Sequence, residues 1–345
     1  MYVNWAHHYI PKVSGFCSII VNFIFMYILK DDKKNKLGNY RYLLFFFAIF
    51  NLISTTGDVL VPMVVHDHRY AFSVFISDGL FEKKSKTGVV MVCLRTALIP
   101  VTYAILHCHF IYRYLILFAT KFLTRWFIPY GLIHTVIYCT MILLIWFFAC
   151  FFFLVDNTER FAYLEKSLND TYQLDVGHLN MLFALYNEGS AEVIRKSLIG
   201  IAIQTSLSVY SIIMYMVLGW LIVKKLKGNL MNMSKATLKK QHQLMVALIV
   251  QAVIPIFVSF LPCLVVWYQP VFNMDLGSWL SLTACVAISF FPVLDPLALL
   301  YVIPAFRKRI RETVLQAITY LQKMTKTEQS ANPSHVRSVN VSVTY

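Results

Sequence analysis

Four charged side chains stand inside strongly apolar stretches of this 345-residue chain: Asp58, Arg95, Arg113 and Asp295. Two carboxylates brought together would offer acid–base or hydrolytic chemistry. Histidines one helical turn apart would offer a metal site. Neither pattern is met. His107 and His109 are two apart and so leave a helix on different faces, and His7 and His8 are adjacent near the chain start. No HExxH, GxSxG or glycine-rich phosphate loop occurs. The seven cysteines (Cys17, Cys93, Cys108, Cys139, Cys150, Cys263 and Cys285) lack metal-ligand spacing and read as small buried apolar residues. No catalytic residue, metal ligand or cofactor is expected. The charges pose a solvation problem instead, because a charge in hydrocarbon costs several kcal/mol unless it reaches water or a partner.

The setting is a membrane. The chain is 58% hydrophobic and 14% charged, with 27 Phe and 20 Tyr, whereas a soluble domain carries about 25% charged residues. Seven apolar runs are long enough to span, at about 11–29, 42–65, 88–117, 128–152, 197–223, 243–267 and 279–303. The expected fold is all-α: a seven-transmembrane helix bundle over 1–303. Residues 304–322 follow as an amphipathic helix on the membrane surface, with apolar Phe306, Ile310, Val314 and Ile318 beside Arg307, Lys308, Arg309 and Arg311. Residues 323–345 are polar and read as a disordered cytoplasmic tail. The first nine residues hold no Lys or Arg, so span one reads as an uncleaved anchor.

Charge sets the expected orientation. One side of the membrane holds twenty Lys/Arg and the other eight, although Lys83, Lys84 and Lys86 in the second loop dissent. The positive-inside bias places the N-terminus outside and the tail in the cytoplasm. Net charge is +14, which suits an anionic inner leaflet and makes membrane lipids the expected surface partner, with no nucleic acid. Asn169, in the long acidic loop after span four, is then an outward-facing glycosylation sequon, whereas those at Asn232 and Asn340 face inward. That loop has no cysteine, so no disulfide can tie it to span three.

The elements now position the charges. Asp58 in span two and Arg95 in span three lie at one depth, roughly 10–12 Å below the outer boundary at about 1.5 Å per residue. They read as a pair, against an alternative in which Arg95 snorkels and Asp58 is protonated or meets water. Asp295 precedes Pro296, where the backbone is loosened, and reads equally as a switch or as a fixed hydrogen-bond hub. Arg113, at the inner end of span three, either snorkels or contacts a signalling protein. A ligand pocket between outer helix halves would draw on Arg95, Thr96, Ile99, Tyr103, Gln204, Ser259 and Ser281, walled by Phe260, Trp267 and Trp279. The segment around Phe161, Leu164 and Leu168 has helical spacing and would cover it.

Three segments carry a resemblance. "HFIYRY" ending span three, "GNYRYLLFFFAIFNLI" entering span two and "FPVLDPLALLYVIPAFRKRI" closing span seven resemble the nematode serpentine chemoreceptors of the Str class, in order and along the whole chain. The resemblance implies a G-protein-coupled chemosensory receptor whose partners are a small-molecule chemical ligand and a heterotrimeric G protein. Arg113 and Tyr114 then fall at the coupling face. It also implies a multi-pass protein of the plasma membrane, in the ciliary membrane of sensory neurons. Relative to rhodopsin-like receptors, Tyr112 stands where an acid precedes the arginine, and Tyr301 is displaced from Asp295-Pro296, so neither the ionic lock nor the tyrosine toggle carries over. A seven-helix channel or transporter and an intramembrane hydrolase using Asp58 or Asp295 are the rival readings.

Overall fold

Thirty-three residues, Lys86–Phe118, without an acid and with one interior proline, form the helix on which the rest is assembled. This is span three, and it packs against spans two, four, five and six. The computed structural model describes residues 5–30, 37–118, 125–155, 158–173, 176–228, 234–274 and 278–331. The other spans are Trp5–Lys30, Tyr40–Leu60, Phe127–Leu154 and Ala191–Gly228. Span six joins Lys235–Pro255, a π turn at Ile256–Phe260 and Leu261–Tyr268. Span seven is the broken pair Ser278–Ser289 and Phe291–Val302, bent by 45°. The fold is the expected seven-helix bundle.

Prolines explain the break and its repair. Pro292 and Pro296 have no N–H, so carbonyls one turn earlier lose their helical donors. In hydrocarbon such groups must be satisfied from a neighbour. Span one supplies the donors. Ser14 Oγ donates to Ser289 O at 2.7 Å, and Asn22 Nδ2 to Pro292 O at 2.9 Å. Ser18 Oγ lies within hydrogen-bond distance of Thr55 Oγ1 at 2.6 Å and reaches Pro292 O at 3.4 Å. Residues 14, 18 and 22 recur every four and so form one polar stripe facing span seven.

Span two ends earlier than hydropathy suggests. The expected run to residue 65 stops at Leu60, because Pro62 cannot continue the hydrogen-bond ladder. The apolar residues beyond it start a strand. Strands β1 (Met63–His68), β2 (Ala71–Ile76) and β3 (Met181–Leu185) form an antiparallel sheet in the order β1-β2-β3. Both faces are covered. Val65, Phe72, Val74, Leu182 and Ala184 pack toward the bundle. Val64, Ala71, Phe75, Met181, Phe183 and Leu185 pack against Leu164 and Leu168 of the cap helix Thr158–Tyr172. The all-α bundle therefore carries a small cap of two layers, a three-stranded sheet and a helix.

Hydrogen bonds fasten the cap where a disulfide would be the usual device; all seven cysteines are free. Asn180, fully buried, donates to Phe81 O at 2.6 Å and Lys83 O at 2.8 Å and accepts from Ser85 N at 2.9 Å. This ties the root of β3 to the start of span three. Gly88 leaves the room, since a Cβ there would overlap the Asn180 amide. At the other edge buried Arg160 donates to Val155 O at 2.8 Å, Phe153 O at 2.9 Å and Ser197 Oγ at 3.1 Å, joining the cap helix to spans four and five. His66 of β1 lies 2.9 Å from Ser167 Oγ, and burial, then neighbouring His68, pushes its pKa down to about 4.

The last helix, Pro304–Ala331, continues past the end at 322 suggested by the apolar stripe. The segment 323–331 contains neither Pro nor Gly and includes Lys, Met, Glu and Gln, which favour helix, so the polar composition that reads as disordered tail does not end it. The rest of that expected tail, 332–345, lies outside the described residues.

Candidate functional site

A cavity of about 60 Å³ lies directly beneath the sheet. At roughly 10–15 Å³ per water-sized sphere it holds a handful of heavy atoms. Its roof is Met63 and Val65 of β1, Phe72 and Val74 of β2, and Leu182 of β3, which is the bundle-facing set of each strand. Its walls come from spans three to seven and include Thr96, Ile99, Gln204, Cys263, Trp267 and Cys285. Span four adds Trp146 and Cys150, and Trp146 and Trp267 meet with ring centroids 5.8 Å apart. Thr96 Oγ1 donates to Cys93 O at 2.9 Å and Gln204 Nε2 donates to Cys150 Sγ at 3.0 Å. These polar groups are largely committed within the protein, so the cavity suits a small, neutral and mostly apolar guest.

The expected pocket residues divide. Thr96, Ile99 and Gln204 line the cavity. Arg95 turns toward span two, where its Nη2 forms an ion pair with Asp58 Oδ1; the two side chains are 4% and 8% exposed. Tyr103 and Ser259 sit deeper and bond each other at 2.8 Å, joining spans three and six. Ser281 belongs to the span-seven helix, but its side chain lies outside the described residues, as does that of Trp279. Phe260 packs in the central core. Trp146, Cys150 and the strand residues carry no mark that sets them apart as pocket residues by type. Pro62 is the one signal in the sequence that points to a change from helix to strand, and the strands themselves, covered on both faces, show no clean polar alternation.

Toward the other end, Asp295 is 1% exposed and accepts from Gln251 Nε2 at 2.9 Å, with the Asn51 amide also facing it. Among the described residues no cation pairs with it. Asn51 Nδ2 in turn reaches Asn22 Oδ1 at 3.3 Å, so spans one, two, six and seven share one polar network at this level. Asp58 and Asp295 do not meet, and no group of described side chains could hold a metal.

Arg113 does not snorkel. It is 5% exposed, and its Cζ stands 3.7 Å from the centroid of the Tyr40 ring. Tyr40 OH lies 2.8 Å from His109 Nδ1, and its ring stacks on Tyr112. Aromatic faces thus hold the guanidinium where a carboxylate is absent. Arg113 Nε and Nη2 are buried and have no hydrogen-bond partner among the described residues. Tyr114 is half-buried and stacks on Phe118 at 4.2 Å. In the cap, Asn169 is exposed on the cap helix.

Comparison with known proteins matches this architecture. Residues 1–310 fit the family model described as serpentine type seven-transmembrane GPCR chemoreceptor Srj. The chain is 37% identical to serpentine receptor class J-38 of Caenorhabditis elegans over 324 residues, covering 93% of this chain and 97% of that one. It is 26% identical to G-protein coupled receptor str-33 of the same organism over 89% of this chain and 90% of the relative. Serpentine receptor class r-10 of Caenorhabditis briggsae is 25% identical over 86% of this chain and 87% of the relative. The Str class is thus represented among the relatives, while the family model that fits is Srj. A bundle of seven spans with a cavity beneath a small sheet, matched over most of its length by named receptors, is a multi-pass membrane protein, and the chain belongs to the nematode serpentine chemoreceptors of the Srj family.

Proposed function

We propose that the cavity beneath the sheet binds a small, neutral, largely apolar chemical cue, and that the opposite end of the bundle activates a heterotrimeric G protein through Arg113 and Tyr114. The observation that carries the reading is the cavity itself. Five spans and three strands converge on an apolar space, in a chain of a chemoreceptor family. A relative's printed name, G-protein coupled receptor, supports the second half. The charge asymmetry supports an N-terminus outside, with the cap and Asn169 outside and the terminal helix on the cytoplasmic leaflet; the chemoreceptor family supports a place in the plasma membrane of sensory cilia.

In this reading Arg113 changes partner. At rest the Tyr40 face holds it. When the inner ends of the spans separate, the guanidinium turns to the carbonyls of the G protein's α subunit. The contact exists only in the active state and so biases the equilibrium toward it. The cavity is tested by filling it. Ile99→Trp should keep surface expression and abolish ligand-driven nucleotide exchange across a panel of volatile and water-soluble compounds. Arg113→Ala should keep ligand binding and lose exchange, and Arg113→Lys should recover part, because an ammonium lacks the planar set of donors. Wild-type exchange in Ile99→Trp removes the cavity reading, and wild-type exchange in Arg113→Ala removes the coupling reading.

A further inference from the structure

A second and larger cavity, of about 240 Å³, lies on the opposite half of the bundle from the cap. Spans four and five both pack on span three and touch each other less, which leaves a groove floored by span three. Cys108, Ile111, Tyr112 and Leu115 form the floor, Trp126 to Tyr138 of span four one wall, and Tyr210 of span five the other. The groove opens sideways, because Ile111, His134 and Tyr210 line it and are also exposed on the outside of the bundle. From Phe127 to Tyr138 the wall rises about 16 Å at 1.5 Å per residue. That is the depth of one leaflet's hydrocarbon, about 15 Å.

The mouth is cationic. Arg125 is exposed and adjoins Trp126, whose indole contacts His134 at 5.1 Å. Lys225 of span five lies over the Phe118 ring at 4.7 Å, one turn beyond Leu115 of the floor. The elements that form the groove carry no acid. Neither residues 83–155 nor 193–274, which contain both walls and the floor, include an Asp or Glu. The groove therefore combines an apolar slot one leaflet deep with two cations beside it, Arg125 next to Trp126 and Lys225 over Phe118.

We propose that this groove seats one acyl chain of an anionic phospholipid, with its phosphate between Arg125 and Lys225. The site is distinct from the ligand cavity and rests on the functional reading only in naming the cytoplasmic leaflet as its source. Its aromatic floor has a consequence. Tyr112 meets Phe127 with centroids 4.7 Å apart and stacks on Tyr40, the ring that holds Arg113. A seated chain thus supports the reverse side of that aromatic box.

The test uses the purified full chain in symmetric vesicles, so that orientation does not enter. Trp126 fluorescence is taken as the difference between wild type and Trp126→Phe. Brominated phosphatidylserine is compared with brominated phosphatidylcholine at equal mole fraction. The structure predicts roughly thirtyfold tighter association for the anionic lipid, the scale expected of two basic residues at a membrane surface. Arg125→Gln with Lys225→Gln should remove the preference. Ile111→Phe, which fills the slot from an exposed position, should lower quenching by both lipids. Arg307→Gln with Lys308→Gln on the terminal helix should leave the preference intact. Equal quenching by the two lipids overturns the proposal. So does a preference that survives the groove substitutions, falls with the terminal-helix pair as a diffuse surface field would, or yields to added sterol.

Discussion

The tie between Asn180 and Gly88 yields a double-mutant cycle with an unusual sign. Asn180 uses both amide hydrogens and its oxygen on three backbone groups. At about 1 kcal/mol net per bond, Asn180→Ala should cost about 3 kcal/mol. Gly88→Ala would place a methyl 2.7 Å from Asn180 Oδ1 and closer still to its Nδ2 and Cγ. No small adjustment relieves three such contacts, so the amide must leave and the same bonds are lost. Alanine recovers about 1 kcal/mol of helix propensity over glycine, for a net cost of about 2 kcal/mol. In the double variant the bonds are already gone and the methyl meets empty space. Its cost should be about 2 kcal/mol, where independent sites would add to about 5 kcal/mol.

Thermal unfolding in detergent measures the difference. All seven cysteines are free and Cys93, Cys139 and Cys150 are buried, so a thiol-reactive fluorophore reports unfolding. At roughly 2 °C per kcal/mol for a chain of this size, Asn180→Ala should lower Tm by about 6 °C and the double variant by about 4 °C. A double variant about 10 °C below wild type would mean that the two positions act independently, and the Asn180 tie to the start of span three would be refuted.

Two further expectations follow from the charges. Asp58→Ala or Arg95→Ala should each cost roughly 3–5 kcal/mol and surface expression, because each leaves a buried charge uncompensated, whereas Asp58→Arg with Arg95→Asp should recover part of the loss. Purely additive single effects, read by surface labelling, would argue against the pair. His66 makes the cap sensitive to acid. Its folded pKa, about 4, lies below the ordinary 6.5, so the unfolded chain binds the extra proton as pH falls through that window. Stability should be full above pH 6.5 and should decline toward pH 4 by up to about 3 kcal/mol, at 1.36 kcal/mol per pH unit. His66→Gln should flatten the Tm profile between those limits, and an unchanged slope would assign the acid sensitivity elsewhere.

The Asp58–Arg95 contact is legible in the sequence because helix rise and loop order alone place two opposite charges at one height. The same reasoning misjudges where span two ends. The apolar run passes through Pro62 without a break in hydropathy, and only the missing N–H of that proline distinguishes helix from strand. The sheet is hidden for a related reason. A strand covered on both faces loses its polar alternation, and β2 is buried at every position. Thr96, Ile99 and Gln204 can be found because they face inward from the helix halves nearest the cap. Trp146 and Cys150 cannot, because span four is uniformly apolar and its inner face carries no mark. Arg113 misleads in the opposite direction, since residue type alone favours snorkelling and only the packing of Tyr40 against His109 reveals a place for it inside.

Within the bundle the polar groups sort by whether their bonding is complete. Asp58 and Arg95 neutralise each other, and Ser14 and Asn22 are bound to the carbonyls freed at the break in span seven. These interactions fix one arrangement. Other polar atoms stay open at both ends: toward the cap, Arg95 Nε, Trp146 Nε1, Tyr186 OH and Gln269 Oε1 are buried without a hydrogen-bond partner among the described residues. Farther from it, Arg113 Nε and Nη2, His109 Nε2, Asn51 Oδ1 and Gln251 Oε1 are buried without a protein partner among the described residues. A buried unmet donor or acceptor costs about 1–3 kcal/mol, and an ordered water or a moved helix must supply what is missing. Recovering the two Arg113 donors alone is worth about 2–6 kcal/mol on that scale. Shifting a two-state equilibrium from one extreme to the other takes about 5.5 kcal/mol. The incomplete bonds farther from the cap sit on spans two, three and six; in the proposed reading a docking partner's exposed carbonyls would complete those of the Arg113 donors. Arg113, with two unmet donors and only aromatic faces against its guanidinium, is therefore the group on which the proposed coupling contact would act most directly.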